Sequence, residues 1–349
     1  MKRIAVLCMT MITAAALTGC SLSPASQPKR YQAEFLTLFD TATKIVGYAD
    51  SEETFKEQVQ IVYDELEKYH QLYDIYNDYD GINNIKTIND KAGQEPVVVD
   101  EKIIDLLLLG KEMYQETDGK LNIAFGSVLS IWHDYRTDGL DDPENAKLPP
   151  MEKLIEANKH VDIDKVIIDE ENSTVYLEDE SMSLDVGSIG KGYAVEQAAK
   201  AAKEAGITSM LMSVGGNIRA IGVKGDGERW KVGIQNPFDD ETEEYLKKVY
   251  VEDISLVTSG DYQRYYEVEG KQYHHIISTD TLMPAKHFTA VSILCPDSGI
   301  ADALSTSVYS MTFQEGLNFI EGLEGVEAMW IFDDKMIEYS SGFEKSLAD

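Results

Sequence analysis

Helix-period and strand-period segments alternate along this chain without strict βαβ rhythm, and that mixture confines it to α+β or mixed α/β architectures. Residues 35–49 (FLTLFDTATKIVGYA) are rich in β-branched and aromatic side chains and predict a strand. Phe55, Val59, Val62, Leu66 and Tyr69 fall at helical spacing within 52–72, and a second helix over 99–117 turns Ile103, Ile104, Leu107 and Leu108 inward. The polar run Tyr73 to Asn89 reads as a loop, and residues 134–150 (DYRTDGLDDPENAKLPP) read as a surface excursion. A short helix at 151–158 and a β-hairpin at 166–186 follow. A strand–turn–helix begins at Leu184, its helix running to about Glu204, and a strand at Ser209–Val214 ends in Gly215-Gly216-Asn217. Strand-rich sequence continues to 295, then come helices from about Ala301 and over 313–322, with strands at 326–332 and 335–339. No repeat and no linker divides this stretch, so one intertwined α+β unit over residues 34–345 is expected.

The 349 residues hold 31 Lys+Arg against 62 Asp+Glu, a formal charge of −31. That acidity argues against nucleic acid or an anionic bilayer surface as partner, because both reward clustered cations. At 43% hydrophobic and 27% charged residues, the composition is that of a folded protein and not of an acidic disordered tail. The first residues are different in kind. Lys2-Arg3 precede an apolar run from Ile4 to Leu17 that is short for a membrane span, and Leu17-Thr18-Gly19-Cys20 looks like a bacterial lipobox. The expectation is a lipoprotein signal peptide over 1–19, lipidation of Cys20, and a flexible tether over 20–33. The mature chain would then be held at the cell membrane by lipid alone, on its extracytoplasmic face, with a charge of −33 once Lys2 and Arg3 leave. Of the three cysteines only Cys295 would remain as a free thiol, so no internal disulfide or multi-cysteine metal site is possible, and the apolar core must suffice.

Four segments could carry chemistry. Asp185-Val-Gly-Ser-Ile-Gly-Lys-Gly-Tyr-Ala194 has glycines that let backbone amides approach a ligand, with Lys191 at a helix N-terminus. It is neither a Walker motif nor a dinucleotide fingerprint. Met212 to Arg219 carries paired glycines at a strand end, which by itself is more often only a tight turn. Thr258-Ser-Gly-Asp-Tyr262 is followed by His274-His275-Ile276-Ile277; on a strand the two imidazoles face opposite ways, so one at most enters a given site. In Ala301-Asp-Ala-Leu-Ser-Thr306, Asp302 and Thr306 lie four apart and share a helix face, a carboxylate and a hydroxyl suited to Mg²⁺ beside a phosphate. Read alone, an ordinary polar helix start accounts for that pair equally well.

Together, in this order and spacing, the four segments resemble the FAD:protein FMN transferase (ApbE) family over about residues 35–340. The resemblance implies a compact α+β domain related to the T-fold that uses FAD as substrate with Mg²⁺. It implies transfer of FMN onto a Ser or Thr of an exported acceptor protein, forming a phosphoester and releasing AMP. By position, it assigns Phe39, Tyr76, Lys120, Leu121, Asn122, Asp185, Lys191 and Ile276 to FAD. Ser188, through its carbonyl, Asp302 and Thr306 fall at Mg²⁺ positions, and His275 at the histidine that assists proton transfer, with Asp302 as the other candidate base. Three residues depart from the family pattern: Asp40 stands for a Gly, Asn122 for an Asp, and Ser278 for an Asp. The family's acceptor motif resembles Ser/Thr-Gly-Ala-Ser/Thr. This chain has no Gly-Ala dipeptide, so a separate acceptor is expected. A Mg²⁺-dependent FAD pyrophosphatase and a non-enzymatic flavin-binding lipoprotein are the competing readings.

Overall fold

A computed structural model describes residues 28–238 and 243–348; the expected signal peptide, Cys20 and most of the tether lie outside the described residues. The stretch that reads as one strand is a hairpin, β1 (Lys29–Leu38) and β2 (Thr41–Ala49). Phe39 and Asp40 form its turn with φ of 53° and 49°, the left-handed pair whose twist suits a two-residue hairpin connection. Neither is glycine or asparagine, so the β-rich pattern runs through the turn unmarked. Residues 29–33 belong to β1 and not to a tether, which moves the start of the folded unit toward the N-terminus.

Helix α1 (Glu52–Tyr73) is capped by Ser51, whose Oγ accepts from the Thr54 amide. The expected loop after it contains α2 (Ile85–Asp90), started by a reciprocal capping box between Asn84 and Thr87. The polar cap is what gives that segment its loop-like composition. Next come β3 (Val97–Val98), α3 (Glu101–Glu116) and α4 (Gly126–Asp141), so half of the expected surface excursion is helix. Gly139, which resembles a helix breaker, is where the Tyr266 ring packs; a Cβ there would lie 2.6 Å from it. Helix α5 (Met151–Asn158) and strands β4 (Val166–Asp169) and β5 (Thr174–Leu177) follow. The chain then leaves the expected hairpin, with only an isolated bridge from Ser183 to Phe125.

The rest comprises α6 (Gly190–Glu204), β6 (Ser209–Val214), β7 (Asn217–Gly222), β8 (Trp230–Gln235), β9 (Tyr245–Val251), β10 (Ser255–Gly260), β11 (Tyr265–Val268), β12 (Lys271–His274) and β13 (Ala290–Cys295). It ends in α7 (Ser298–Tyr309), α8 (Phe313–Glu321), β14 (Glu327–Ile331) and β15 (Ile337–Tyr339). Eight strands form one sheet in the order β1-β2-β6-β7-β10-β13-β14-β15, each pair antiparallel. Successive side chains go to opposite faces. Ile45, Met212, Val257, Val291, Ile293 and Trp330 join the core beneath α1, α6 and α7. Val46, Leu256, Leu294, Met329 and Ile331 pack with Trp230, Val232 and Val249 of the β8–β9 hairpin. Both faces are covered, which is why all six residues of β13 are buried. The result is the expected α+β unit.

One end of this sheet gathers the turns that matter. Gly215, at φ 51°, donates its amide to Ala42 O at 3.2 Å, and a Cβ on it would sit 2.5 Å from Thr41 Oγ1. Gly216 lies against the Thr258 carbonyl, so the Phe39-Asp40 turn, the glycine pair and the exit of β10 adjoin.

Candidate functional site

Helices α6 and α7 cross so closely that the Gly192 amide donates to Asp302 Oδ2 at 2.8 Å. The approach depends on glycine, since a Cβ at 192 would meet Ser298 O at 2.2 Å and Asp302 Cβ at 2.4 Å. Asp302 is 4% exposed, and Lys191 Nζ stands 3.8 Å from its Oδ1, an ion pair but too long for a hydrogen bond. Burial pushes the Asp302 carboxyl above its ordinary range, against the pull of Lys191 and the Gly192 amide. The Asn217 side chain lies near enough to favour the carboxylate, although its buried Nδ2 meets no partner at hydrogen-bond geometry. One turn along α7, Thr306 Oγ1 is half-buried and 3.5 Å from Ser259 Oγ, which also pairs with Ser305 Oγ at 2.8 Å.

A buried, undercompensated carboxylate with a hydroxyl one turn away fits a hard cation. Among the described residues no three His, Cys, Asp or Glu side chains converge, so such an ion would take its other oxygens from hydroxyls, carbonyls, solvent or ligand. The arrangement is braced from behind. Arg219 Nε donates to Glu196 Oε2 at 2.8 Å, both residues buried, and the same oxygen accepts the Ser298 amide at 3.0 Å. That single carboxylate ties α6, β7 and the start of α7 together.

A second group of side chains comes from the loop after α1, from α4, and from the turns at 185 and 264. Tyr76 is 55% exposed, its hydroxyl 3.4 Å from His133 Nδ1 and its ring 5.1 Å from the imidazole. Arg136 donates to the same Nδ1 at 3.1 Å. Asp185 Oδ1 accepts the Gly187 amide at 2.8 Å, and burial holds its carboxyl above the usual range while His133 and Arg136 oppose that shift. The two adjacent histidines divide as their strand geometry requires. His274 is buried; its Nε2 donates to Ala285 O at 2.7 Å and its Nδ1 accepts from the Ile276 amide at 3.2 Å, so both nitrogens are committed to structure. His275 is half-exposed and can only donate from Nδ1 to the Arg264 carbonyl at 3.2 Å, which leaves the Nε2 lone pair free. The protein packed around this ring, then Arg264, His274 and Arg136, push its pKa down to about 3. The imidazole therefore stays neutral well below pH 6.

The remaining expected contacts fall as follows. Phe39 donates its amide to His70 Nδ1 at 3.3 Å, anchoring the hairpin turn to the end of α1. Lys120 pairs with Asp280, two residues beyond the departing Ser278. Leu121 and Ile276 are 1% and 5% exposed with side chains in the core, so only their backbones face outward chemistry. Asn122 Oδ1 accepts from the Ala124 amide at 2.9 Å, shaping the turn into α4. Ser188 is half-buried in the turn between Asp185 and Lys191. His133, Arg136 and Arg264 are not among the expected residues. His133 and Arg136 sit three apart on one face of α4, a signal concealed by reading 134–150 as loop. Two open grooves of about 370 and 710 Å³ lie elsewhere and take in none of the expected residues.

The ApbE family model matches residues 39–330, most of the described chain. The chain belongs to the ApbE family. A curated relative from Treponema pallidum, named FAD:protein FMN transferase, is 33% identical over 272 residues, covering 74% of this chain and 73% of that protein. One of the same name from Escherichia coli K12 is 27% identical, covering 85% and 84%. Among solved structures, the ApbE protein of Thermotoga maritima superposes with a TM-score of 0.80 at 26% identity, covering 92% of this chain and all of the other. The flavin transferase ApbE of Vibrio cholerae, at 21% identity and TM-score 0.75, shares the fold.

Proposed function

We propose that this chain transfers FMN from FAD to a Ser or Thr hydroxyl of an exported acceptor protein, with Mg²⁺ held at Asp302. The observation that carries the reading is the buried Asp302 carboxylate, fixed by the Gly192 amide beside Lys191 and Thr306, in a chain whose relatives are named for this activity. In the reaction the acceptor oxygen bonds to the FMN phosphorus, the phosphoanhydride bond to AMP breaks, and the acceptor proton leaves to a base. Asp302, Thr306 and the Ser188 carbonyl would hold Mg²⁺, which polarises the phosphorus and steadies charge on the leaving AMP. Lys191 adds a positive charge where the protein as a whole is strongly acidic. His275 presents its free Nε2 to accept the acceptor proton. Tyr76 offers an exposed ring for flavin stacking, and Phe39, Lys120, Asn122, Asp185 and the Leu121 and Ile276 backbones complete the FAD contacts. Cys20, lipidated after removal of residues 1–19, would hold the enzyme on the extracytoplasmic face of the cell membrane beside its acceptor.

The test is mass spectrometry of a protein bearing a Ser/Thr-Gly-Ala-Ser/Thr motif after incubation with this chain, FAD and Mg²⁺. A gain of FMN minus water is expected. AMP release at full rate without any acceptor would make the chain a pyrophosphatase, and FAD retained without AMP would make it a flavin-binding protein.

A further inference from the structure

We propose that His70 is a positioning residue of the FAD site, tying the Phe39-Asp40 turn to the loop that carries Tyr76; this rests on the flavin reading above, which puts both Phe39 and Tyr76 against FAD. The two come from different parts of the chain, a hairpin turn of the large sheet and the loop after α1, and His70 in the last turn of α1 stands between them. Its Nδ1 accepts the Phe39 amide at 3.3 Å, and the two rings meet edge to face with centroids 5.4 Å apart. Its Nε2 lies 3.4 Å from the Tyr79 hydroxyl, which donates to Asp74 Oδ2 at 2.7 Å. Asp74 Oδ1 in turn accepts the amides of Tyr76 at 2.6 Å and Asn77 at 3.0 Å.

Only one placement of protons satisfies this chain of bonds. A backbone amide donates, so Nδ1 carries the lone pair and the neutral ring keeps its proton on Nε2. Tyr79 gives its single proton to Asp74, so its oxygen accepts from Nε2. Burial pushes the Asp74 carboxyl up, but the bonds from Asn77, Tyr76 and Tyr79 outweigh it and hold the group below its ordinary range, ionised and fit to receive. The turn needs such an outside hold. Phe39 and Asp40 stand at φ 53° and 49° without the glycine or asparagine that favours that conformation. Both His70 bonds are at the long end of the hydrogen-bond range and half-buried, so they add little to global stability. What they set is the place of the turn relative to the Tyr76 ring, and small misplacements of ligand-holding groups are felt in binding and rate.

Flavin fluorescence titrations with FAD and Mg²⁺, run beside thermal unfolding, test this on the wild type, His70→Leu, His70→Asn, Tyr79→Phe and the double variant of the last two. His70→Leu cuts both links and should weaken FAD about tenfold, while Tm moves by about 2 °C or less. An Asn oxygen can take the place of Nδ1 but is too short to reach Tyr79. His70→Asn should therefore lose only about threefold, Tyr79→Phe the same, and the double variant no more than either, because all three cut one link. Unchanged FAD affinity in His70→Leu, losses that add in the double variant, a His70→Asn no better than His70→Leu, or a fall in Tm that tracks the lost affinity overturns the positioning role and leaves the flavin reading intact. A wild-type chain that does not bind FAD overturns both.

Discussion

The amide of Gly192 donates to Asp302 at 2.8 Å across a helix crossing that has no room for a methyl group at residue 192. The nearest obstacle, Ser298 O at 2.2 Å, is backbone, so a Cβ can be fitted only by moving α6 off α7. Gly192→Ala should cost about 3 kcal/mol, the upper end for overpacking. Urea unfolding measures that loss. Under conditions where the variant stays folded, transfer should still fall more than tenfold, because the shift withdraws the amide that orients the carboxylate. Wild-type stability in Gly192→Ala would show that the crossing is looser than described.

Asp302 separates stability from function. Its carboxyl is buried and its pKa raised, so the ionised form works against folding near neutrality: the stability this group contributes is full below the unfolded-state value and is lost as pH rises through the folded one. Asp302→Asn should match or exceed the wild type in Tm without divalent cation at pH 7, and the two should converge at low pH. Mg²⁺ should raise the wild-type Tm and not the variant's, since only a binding-competent native state gains from the ligand. Transfer should be abolished. A Mg²⁺-dependent rise in the variant equal to the wild type's would remove Asp302 as a ligand.

What is legible in the chain is what depends on local spacing. Asp302 and Thr306 share a face because they are one helical turn apart, and Gly190 to Gly192 announce a close helix start. The Phe39-Asp40 turn is hidden because neither residue favours the left-handed conformation that the hairpin imposes. The Arg264 carbonyl reaches His275 only through β11–β12 pairing, and Arg136 and Tyr76 meet at His133 only through the packing of α4. Such tertiary juxtapositions leave no periodic trace. The lowered titration of His275 likewise comes from burial and neighbours that spacing does not reveal.

Arg219 closes the Met212–Arg219 motif inside β7 and is there for architecture. Its pair with Glu196 is buried on both sides, 4% and 5% exposed, and Glu196 also carries the first amide of α7. Removing one partner strands the other charge in the core, so Arg219→Met should destabilise by about 3–5 kcal/mol. The double variant Arg219→Met with Glu196→Met should recover part of that loss. Chemical denaturation of the four species of the cycle measures the coupling, and additive single effects would mean that the pair is not interacting as described.

His275 supplies the pH signature. With a folded pKa of about 3 against an unfolded value near 6.5, it stabilises the fold fully above pH 6.5, and that contribution is lost as pH falls toward 3, where the unfolded chain takes up a proton that the native ring refuses. His275→Gln should therefore lose less Tm than the wild type between pH 7 and 4.5. By NMR the His275 ring should stay neutral down to about pH 4. Arg264→Gln removes a positive charge beside the ring and should move its titration upward. In transfer assays at neutral pH, His275→Gln should slow turnover at least tenfold while FAD binding changes less, because a neutral imidazole with a free Nε2 is needed as proton acceptor and not as an anchor. A wild-type ring titrating at its ordinary value, or turnover indifferent to the substitution, would assign the proton to another group.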